Sequence, residues 1–168
     1  MTVSSTGNDI TIDNIIEKYS SMVYKLAYAR TRNREDADDI FQEVFLRYIR
    51  KQPKFEKEEH EKAWFIRVTI NCFNSFWKNS FRTHTVPLDM DFPINKTEDQ
   101  IIRGYTLEEY LAKLPPVYRI AIHLFYYEDM STAQISELLN RKESTIRMQL
   151  TRARRLLREY MKEEENYV

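Results

Sequence analysis

The stretch that decides the fold is STAQISELLNRKESTIRMQLTRARRLLR, from Ser131 to Arg158. It predicts a helix, a short polar turn and a second, strongly basic helix. In the second helix one face carries an apolar stripe at helical spacing, formed by Ile146, Leu150, Ala153 and Leu157. The opposite face carries Arg147, Met148, Thr151, Arg152 and Arg155. A helix of this kind fits the major groove of DNA; the alternative is an ordinary helical hairpin with a solvated basic face.

Local signals place both helices of this hairpin. Ser131 is a good N-cap for the first helix, and Glu143 or Ser144 lies where the second helix should begin. The first helix should hold the second in place through three inward-facing residues, Ile135, Leu138 and Leu139.

Composition limits the classes to which the protein can belong. The 168 residues include 26 basic and 26 acidic ones, so only a local charge excess could mark a nucleic-acid binder. That excess lies between Arg141 and Arg158, where seven basic residues accompany one acid, Glu143. With only two glycines and no convincing strand pattern, the chain is predicted to be all-α, in one large or two small domains.

Several chemistries are not expected. The single Cys72 cannot form an internal disulfide, and the three isolated histidines show no zinc-ligand spacing, so we expect no metal and no cofactor. No acid/base or nucleophile constellation stands out, so we expect no enzyme. No apolar stretch approaches the ~20 residues that span a bilayer, and the N-terminus lacks a secretory signal, which favours a cytoplasmic protein.

The order of patterns along the chain predicts two helical domains. Helices over roughly 10–32, 35–51 and 58–79 should form a three-helix bundle, and Pro53 should end the second of them because proline disfavours helix in the residue before it. The boundaries are a disordered leader over 1–9, the bundle over 10–80, a flexible linker over 81–104, a helix-turn-helix domain over 105–163 and a tail over 164–168.

The second helix, EDADDIFQEVFLRYIRK, is acidic at its start and basic at its end, as the helix macrodipole favours. One side can pack through Ala37, Ile40, Phe41, Val44 and Tyr48. Another side mixes polar and apolar groups, which suits docking onto a basic partner helix; its residues are Asp39, Gln42, Glu43 and Leu46. A solvated acidic face is the alternative interpretation.

The third helix combines a polar, cationic face with many aromatic residues. The polar face consists of Arg67, Asn71, Asn74 and Lys78, with Ser75 beside it. Cationic grooves with aromatic stacking surfaces bind single-stranded DNA. The alternative is that most of the aromatic residues are core.

These motifs resemble a known family. DADDIFQEVFLRYIRK followed by KAWFIRVTINCFNSFWK resembles the second conserved region of bacterial RNA polymerase sigma factors of the sigma-70 family, extracytoplasmic-function (ECF) group. LPPVYRIAIHLFYYEDMSTAQISELL and STIRMQLTRARRLLR are similar to that group's fourth region, a helix-turn-helix. The resemblance spans roughly residues 10–161, with two motifs in the family's order.

The resemblance implies residue roles in the first domain. The acidic helix would bind the clamp of the polymerase's largest subunit through Asp39, Ile40, Gln42, Glu43 and Leu46. The third helix and the loop before it would read the promoter −10 element and capture a flipped base, which helps to offset the cost of melting. Phe55, Asn71 and Ser75 match the pocket positions, while Arg67 and Lys78 would meet phosphates.

In the second domain, the resemblance places Arg147, Met148, Thr151 and Arg152 at base edges of the −35 element. Lys142, Thr145, Arg154 and Arg155 would contact phosphates, which position the protein without carrying sequence information. Asn140 replaces the usual glycine of the turn, and it tolerates a left-handed backbone.

The resemblance therefore implies an alternative sigma factor that binds core RNA polymerase, directs it to −10 and −35 elements and assists promoter melting. Family members are commonly restrained by an anti-sigma factor, often membrane-bound, so such a partner is also implied, without membrane insertion of this chain. The alternative is a conventional helix-turn-helix regulator of duplex DNA, which gives no role to the acidic helix.

Overall fold

The computed structural model describes residues 6–83 and 106–166, and the side chains of residues 12–75 and 106–166. Within these ranges the secondary structure is helical, which confirms the all-α prediction. The chain divides into two compact units, residues 1–85 and 86–168. Within the described ranges, no helix is both long enough and apolar enough to cross a membrane.

The first unit contains α1 (Thr6–Thr31), α2 (Arg34–Lys51) and α3 (Glu58–Thr83), the three helices that the sequence predicts. α1 begins four residues earlier than expected, within the predicted leader, and α3 continues into the first residues of the predicted linker. Residues 1–5 of the leader and residues 84–104 of the linker lie outside the described residues.

Aromatic stacking joins the three helices of the bundle. α1 packs against both α2 and α3, and α2 packs against α3. Phe65 of α3 is fully buried, with its ring centroid 4.4 Å from that of Tyr19 on α1 and 5.6 Å from that of Phe45 on α2. Phe45 therefore belongs to the packed side of α2, where the spacing argument had not placed it.

Both ends of α2 have identifiable caps. The Asn33 side chain accepts a 3.2 Å hydrogen bond from the backbone N–H of Asp36, which satisfies one of the free donors at the helix start. The helix ends at Lys51, as predicted, but Gln52 takes a left-handed conformation (φ 41°, ψ 57°) instead of the extended one that a following proline favours. Its N–H donates to the carbonyl of Tyr48 and closes the helix.

The second unit contains α4 (Leu107–Lys113), α5 (Pro116–Ile122), α6 (Thr132–Leu139) and α7 (Glu143–Glu165). Leu114 and Pro115 separate α4 from α5, which begins at Pro116. Residues His123–Tyr127 continue α5 as a π-helical turn, so this segment is helical as far as Tyr127. The N–H of Glu128 donates across five residues to the carbonyl of His123, at 3.3 Å.

The helix-turn-helix is formed by α6 and α7. Ser131 caps α6 as predicted: its hydroxyl accepts from the N–H of Gln134 at 3.1 Å, and the Gln134 side chain accepts from the N–H of Ser131 at 2.8 Å. Asn140 adopts the expected left-handed conformation, φ 51° and ψ 50°. Ile135 is fully buried, whereas Leu138 and Leu139 are only half-buried.

α7 turns its apolar stripe into the second unit, where it packs against α4, α5 and α6. Ile146, Leu150 and Ala153 are buried and Leu157 is half-buried. The helix continues to Glu165, so it includes the first two residues of the predicted tail. The packing leaves the basic face of α7 outside.

Candidate nucleic-acid and protein interfaces

The outer surface of α2 carries most of the residues expected to dock on a protein partner. Asp39 and Gln42 are exposed, Glu43 is half-buried and Leu46 is 43% exposed. Ile40 is only 2% exposed and lies in the bundle core, on the side of α2 that helical spacing predicts to be packed. We call Asp39, Gln42, Glu43, Leu46 and the neighbouring Ile49 the α2 surface.

Negative charge is concentrated in the first turns of α2, where the α2 surface begins. Burial, together with the carboxylates of Asp39 and Glu35, raises the pKa of Asp36. One turn further on, Arg47 Nε donates to Glu43 Oε1 at 2.8 Å, and this bond raises the pKa of Arg47. The α2 surface is therefore acidic at its start, ion-paired in its middle and apolar at Leu46, a pattern that can meet both a basic and an apolar group.

On α3, the residues expected to meet the opened DNA strand share one exposed face. Arg67, Asn71 and Ser75 are all exposed, at spacings that keep them on neighbouring turns. The side chain of Lys78 lies outside the described residues. We call Arg67, Asn71, Asn74 and Ser75 the α3 polar face.

Phe55 is held at one end of an aromatic cluster. It lies half-buried in the loop before α3, and its ring centroid is 6.1 Å from that of Trp64. Trp64 in turn lies 5.0 Å from Phe65 and 5.8 Å from Tyr48, both nearly perpendicular to it. Such edge-to-face pairs fix ring orientations, so the core holds the loop that carries Phe55.

A polar network that the sequence did not reveal ties the start of α3 to α1. Tyr19 Oη donates to Glu61 Oε1 at 2.7 Å, and Lys18 Nζ lies 2.8 Å from Glu58 Oε1. Burial and the bond to Glu61 raise the pKa of Tyr19 to about 12. The network fixes the first turns of α3, immediately after the loop of Phe55.

The basic face of α7 presents the expected DNA-reading residues together. Most of them are exposed: Lys142, Arg147, Met148, Thr151, Arg152 and Arg155. Thr145 and Arg154 are half-buried at the edge of this face.

Arg147 is oriented by the start of its own helix. Its Nη2 donates to Glu143 Oε1 at 2.7 Å, and the hydroxyl of Thr132 on α6 donates to the same oxygen, also at 2.7 Å. The hydroxyl of Thr132, together with the charge of Arg147, lowers the pKa of Glu143. Thr151 donates its hydroxyl to the Arg147 carbonyl at 2.9 Å.

Arg154 is not a freely projecting side chain. Its Nε donates to Tyr126 Oη at 2.7 Å, and its guanidinium carbon lies 5.5 Å from the ring centroids of both Phe125 and Tyr126. Tyr126 was not among the predicted residues, although the aromatic run at 125–127 beside the helix-turn-helix was a signal for it. Among the described residues, no group of three or more His, Cys, Asp and Glu side chains could hold a metal ion.

Both units of the chain match families of known proteins. The Sigma-70 region 2 family matches residues 15–83, and the Sigma-70, region 4 family matches residues 105–157. The ECF RNA polymerase sigma factor SigE of Mycolicibacterium smegmatis is 31% identical over 157 residues, which cover 89% of this chain and 61% of SigE. The ECF RNA polymerase sigma factor SigM of Bacillus subtilis is 27% identical over 157 residues, 89% of this chain and 94% of SigM.

The fold is similar to that of the sigma factor RpoE, solved in complex with the anti-sigma factor NepR from Bartonella quintana. The TM-score is 0.68 at 19% identity, and the match covers 90% of this chain and 97% of RpoE. The two region matches lie on the two units in the family's order, and the relatives carry the same family name. The chain belongs to the ECF group of the sigma-70 family of RNA polymerase sigma factors, which are transcription initiation factors and not enzymes.

Proposed function

We propose that this chain is an alternative sigma factor that binds core RNA polymerase and directs it to promoters with −10 and −35 elements. The observation that carries the proposal is the exposure, on separate units, of the basic face of α7 and the α3 polar face. The first suits intact duplex, whose major groove admits a helix. The second, beside the aromatic loop of Phe55, suits an opened strand.

The α2 surface supplies the polymerase-binding site in this proposal. Asp39, Gln42 and Glu43 provide hydrogen-bond acceptors and negative charge, and Leu46 provides an apolar contact. A basic helical partner, such as the clamp of the largest subunit, complements this combination. The protein would work in the cytoplasm, where transcription takes place.

An anti-sigma factor is the second partner in the proposal. The matched RpoE structure contains the anti-sigma factor NepR, so a chain of this fold can be bound by such an inhibitor. We propose that an anti-sigma factor binds this chain and prevents it from binding the polymerase. In many family members the anti-sigma factor is membrane-bound.

Direct binding measurements test the proposal. Purified chain is titrated into sigma-free core RNA polymerase, and separately into a duplex DNA fragment. We expect a stable complex with the core and a smaller affinity for the duplex alone. Strong sequence-specific duplex binding without any core binding would overturn the proposal in favour of the conventional helix-turn-helix regulator.

A further inference from the structure

Tyr126 and Arg154 form a pair at the edge of the basic face of α7. Tyr126 lies in the π-helical turn before α6 and is 53% exposed. Arg154 lies on α7, seven residues after Arg147, so the two arginines project from the same side of the helix. The 2.7 Å bond from Arg154 Nε to Tyr126 Oη crosses from one element to the other.

The pair leaves a defined part of Arg154 available. The guanidinium carries five N–H donors in a rigid fork, and the bond to Tyr126 uses the one on Nε. The rings of Phe125 and Tyr126, both 5.5 Å from the guanidinium carbon, restrict its rotation. A phosphate is the ligand that this arrangement fits, because the terminal nitrogens of a held guanidinium present paired donors to an anion.

We propose that Tyr126 is a positioning residue that aims Arg154 at one backbone phosphate beside the −35 duplex. This inference rests on the proposed function and adds to it a residue outside the helix-turn-helix. Arg154 makes the contact, and Tyr126 acts only through Arg154. Preordering a flexible arginine reduces the entropy lost on binding, so the hydroxyl of Tyr126 strengthens a contact that it does not itself make.

The same bond would form if it served only to stabilise the packing of the π-helical turn against α7, acting as a brace between them. The test therefore needs a measurement that does not change when only this stabilisation is lost. Log affinity falls as log salt concentration rises, and each phosphate neutralised by a cation makes this negative slope steeper by about 0.9. A lost brace lowers stability but leaves this slope unchanged. A lost phosphate contact makes the slope shallower and weakens binding to all −35 sequences equally.

The experiment measures promoter binding by holoenzyme assembled from the full chain and core RNA polymerase, over a range of salt concentrations. Arg154→Ala should make the slope shallower by about 0.9. Tyr126→Phe keeps the ring but removes the hydroxyl, and should weaken binding roughly two- to tenfold, the effect of one hydrogen bond. Tyr126→Phe should also make the slope shallower. Added to Arg154→Ala, it should have no further effect on affinity or slope.

Tyr127→Phe is the matched control. Tyr127 is also 53% exposed and lies in the same turn, but its ring stacks on His123, 5.1 Å between centroids, a contact that phenylalanine retains. It should leave affinity and slope at the wild-type values. The inference is overturned if Tyr126→Phe leaves the slope unchanged, or weakens binding equally with and without Arg154. A wild-type chain that forms no promoter complex overturns the proposed function itself.

Discussion

Arg147 Nη2 and Glu143 Oε1 are joined by a 2.7 Å ion pair at the start of the basic helix. Exposed ion pairs one turn apart contribute only about 0.3–0.5 kcal/mol to stability. The main effect of this pair is therefore to orient the Arg147 side chain. Because Thr132 of α6 donates to the same carboxylate oxygen, the first helix of the motif helps to aim the arginine that we place at the −35 bases.

Removing the base-reading arginines should broaden promoter choice. Arg147→Ala and Arg152→Ala should each weaken use of a matched −35 element by about 1–3 kcal/mol, because a good base contact discriminates by that amount. Transcription from a set of −35 variants, measured with reconstituted holoenzyme, gives the preference. Arg155→Ala is the control: a phosphate contact should weaken all variants alike. An unchanged −35 preference in both variants would show that a different face of α7 reads the bases.

The α2 surface can be tested separately from DNA binding. The double substitution Gln42→Ala and Glu43→Ala should greatly weaken core polymerase binding. It should lower stability by no more than about 1 kcal/mol, because Gln42 is exposed and the Glu43–Arg47 pair is at the surface. Affinity for the core and the thermal unfolding midpoint are the two measurements.

Glu59→Gln is the control for removing one negative charge, since Glu59 is exposed on α3 and does not belong to the α2 surface. It should bind the core like wild type. A folded double variant that retains full core affinity would exclude the α2 surface as the docking site.

The bond between Tyr19 and Glu61 predicts a stability loss in alkali. The pKa of Tyr19 is raised from its ordinary 10 to about 12, so folding favours the protonated hydroxyl. Its contribution is fully present below pH 10 and is lost as the pH rises towards 12. Urea unfolding across this interval should show the decrease. Tyr19→Phe should cost about 1 kcal/mol at neutral pH and flatten the alkaline decrease.

Tyr24→Phe provides the comparison for that experiment, since Tyr24 lies half-buried on the same helix. It should retain the alkaline decrease of wild type. If Tyr19→Phe keeps the same pH profile as Tyr24→Phe, another group is responsible for the loss.

Cys72 should be an unreactive thiol in the native protein. It is 4% exposed, and burial raises its pKa to about 11, although the nearby Arg47 partly opposes the shift. Because the thiolate is the reactive form, alkylation at pH 8 should be at least about tenfold slower than in urea-unfolded chain. Equal rates in the folded and unfolded chain would mean that the α3 core opens readily.

Much of the helical architecture follows from the sequence because local signals agree with tertiary packing. Ser131 marks a helix start through its side-chain cap and Asn140 marks a helix end through its left-handed backbone, and the structure places both boundaries there. The stripe on α7 predicted the buried side of the basic helix for the same reason.

Other features of the structure depend on packing and hydrogen bonding that the spacing of apolar residues does not show. Helical spacing places Ile40 on the packed side of α2 and Leu46 on another side, and their burial agrees with that assignment, whereas the burial of Phe45 follows only from its packing against Phe65. The π-helical turn at His123–Tyr127 comes from a change in hydrogen-bond register, which helical spacing does not encode. The pairing of Tyr126 with Arg154 joins residues 28 positions apart, beyond the reach of any periodicity argument.

The most direct test of the central claim is transcription by core RNA polymerase on a promoter library, with and without the purified chain, followed by sequencing of the transcripts. The account predicts new start sites that appear only with the chain and share two short upstream elements, at −10 and −35. Transcripts that do not depend on the chain, or start sites without shared elements, would contradict it.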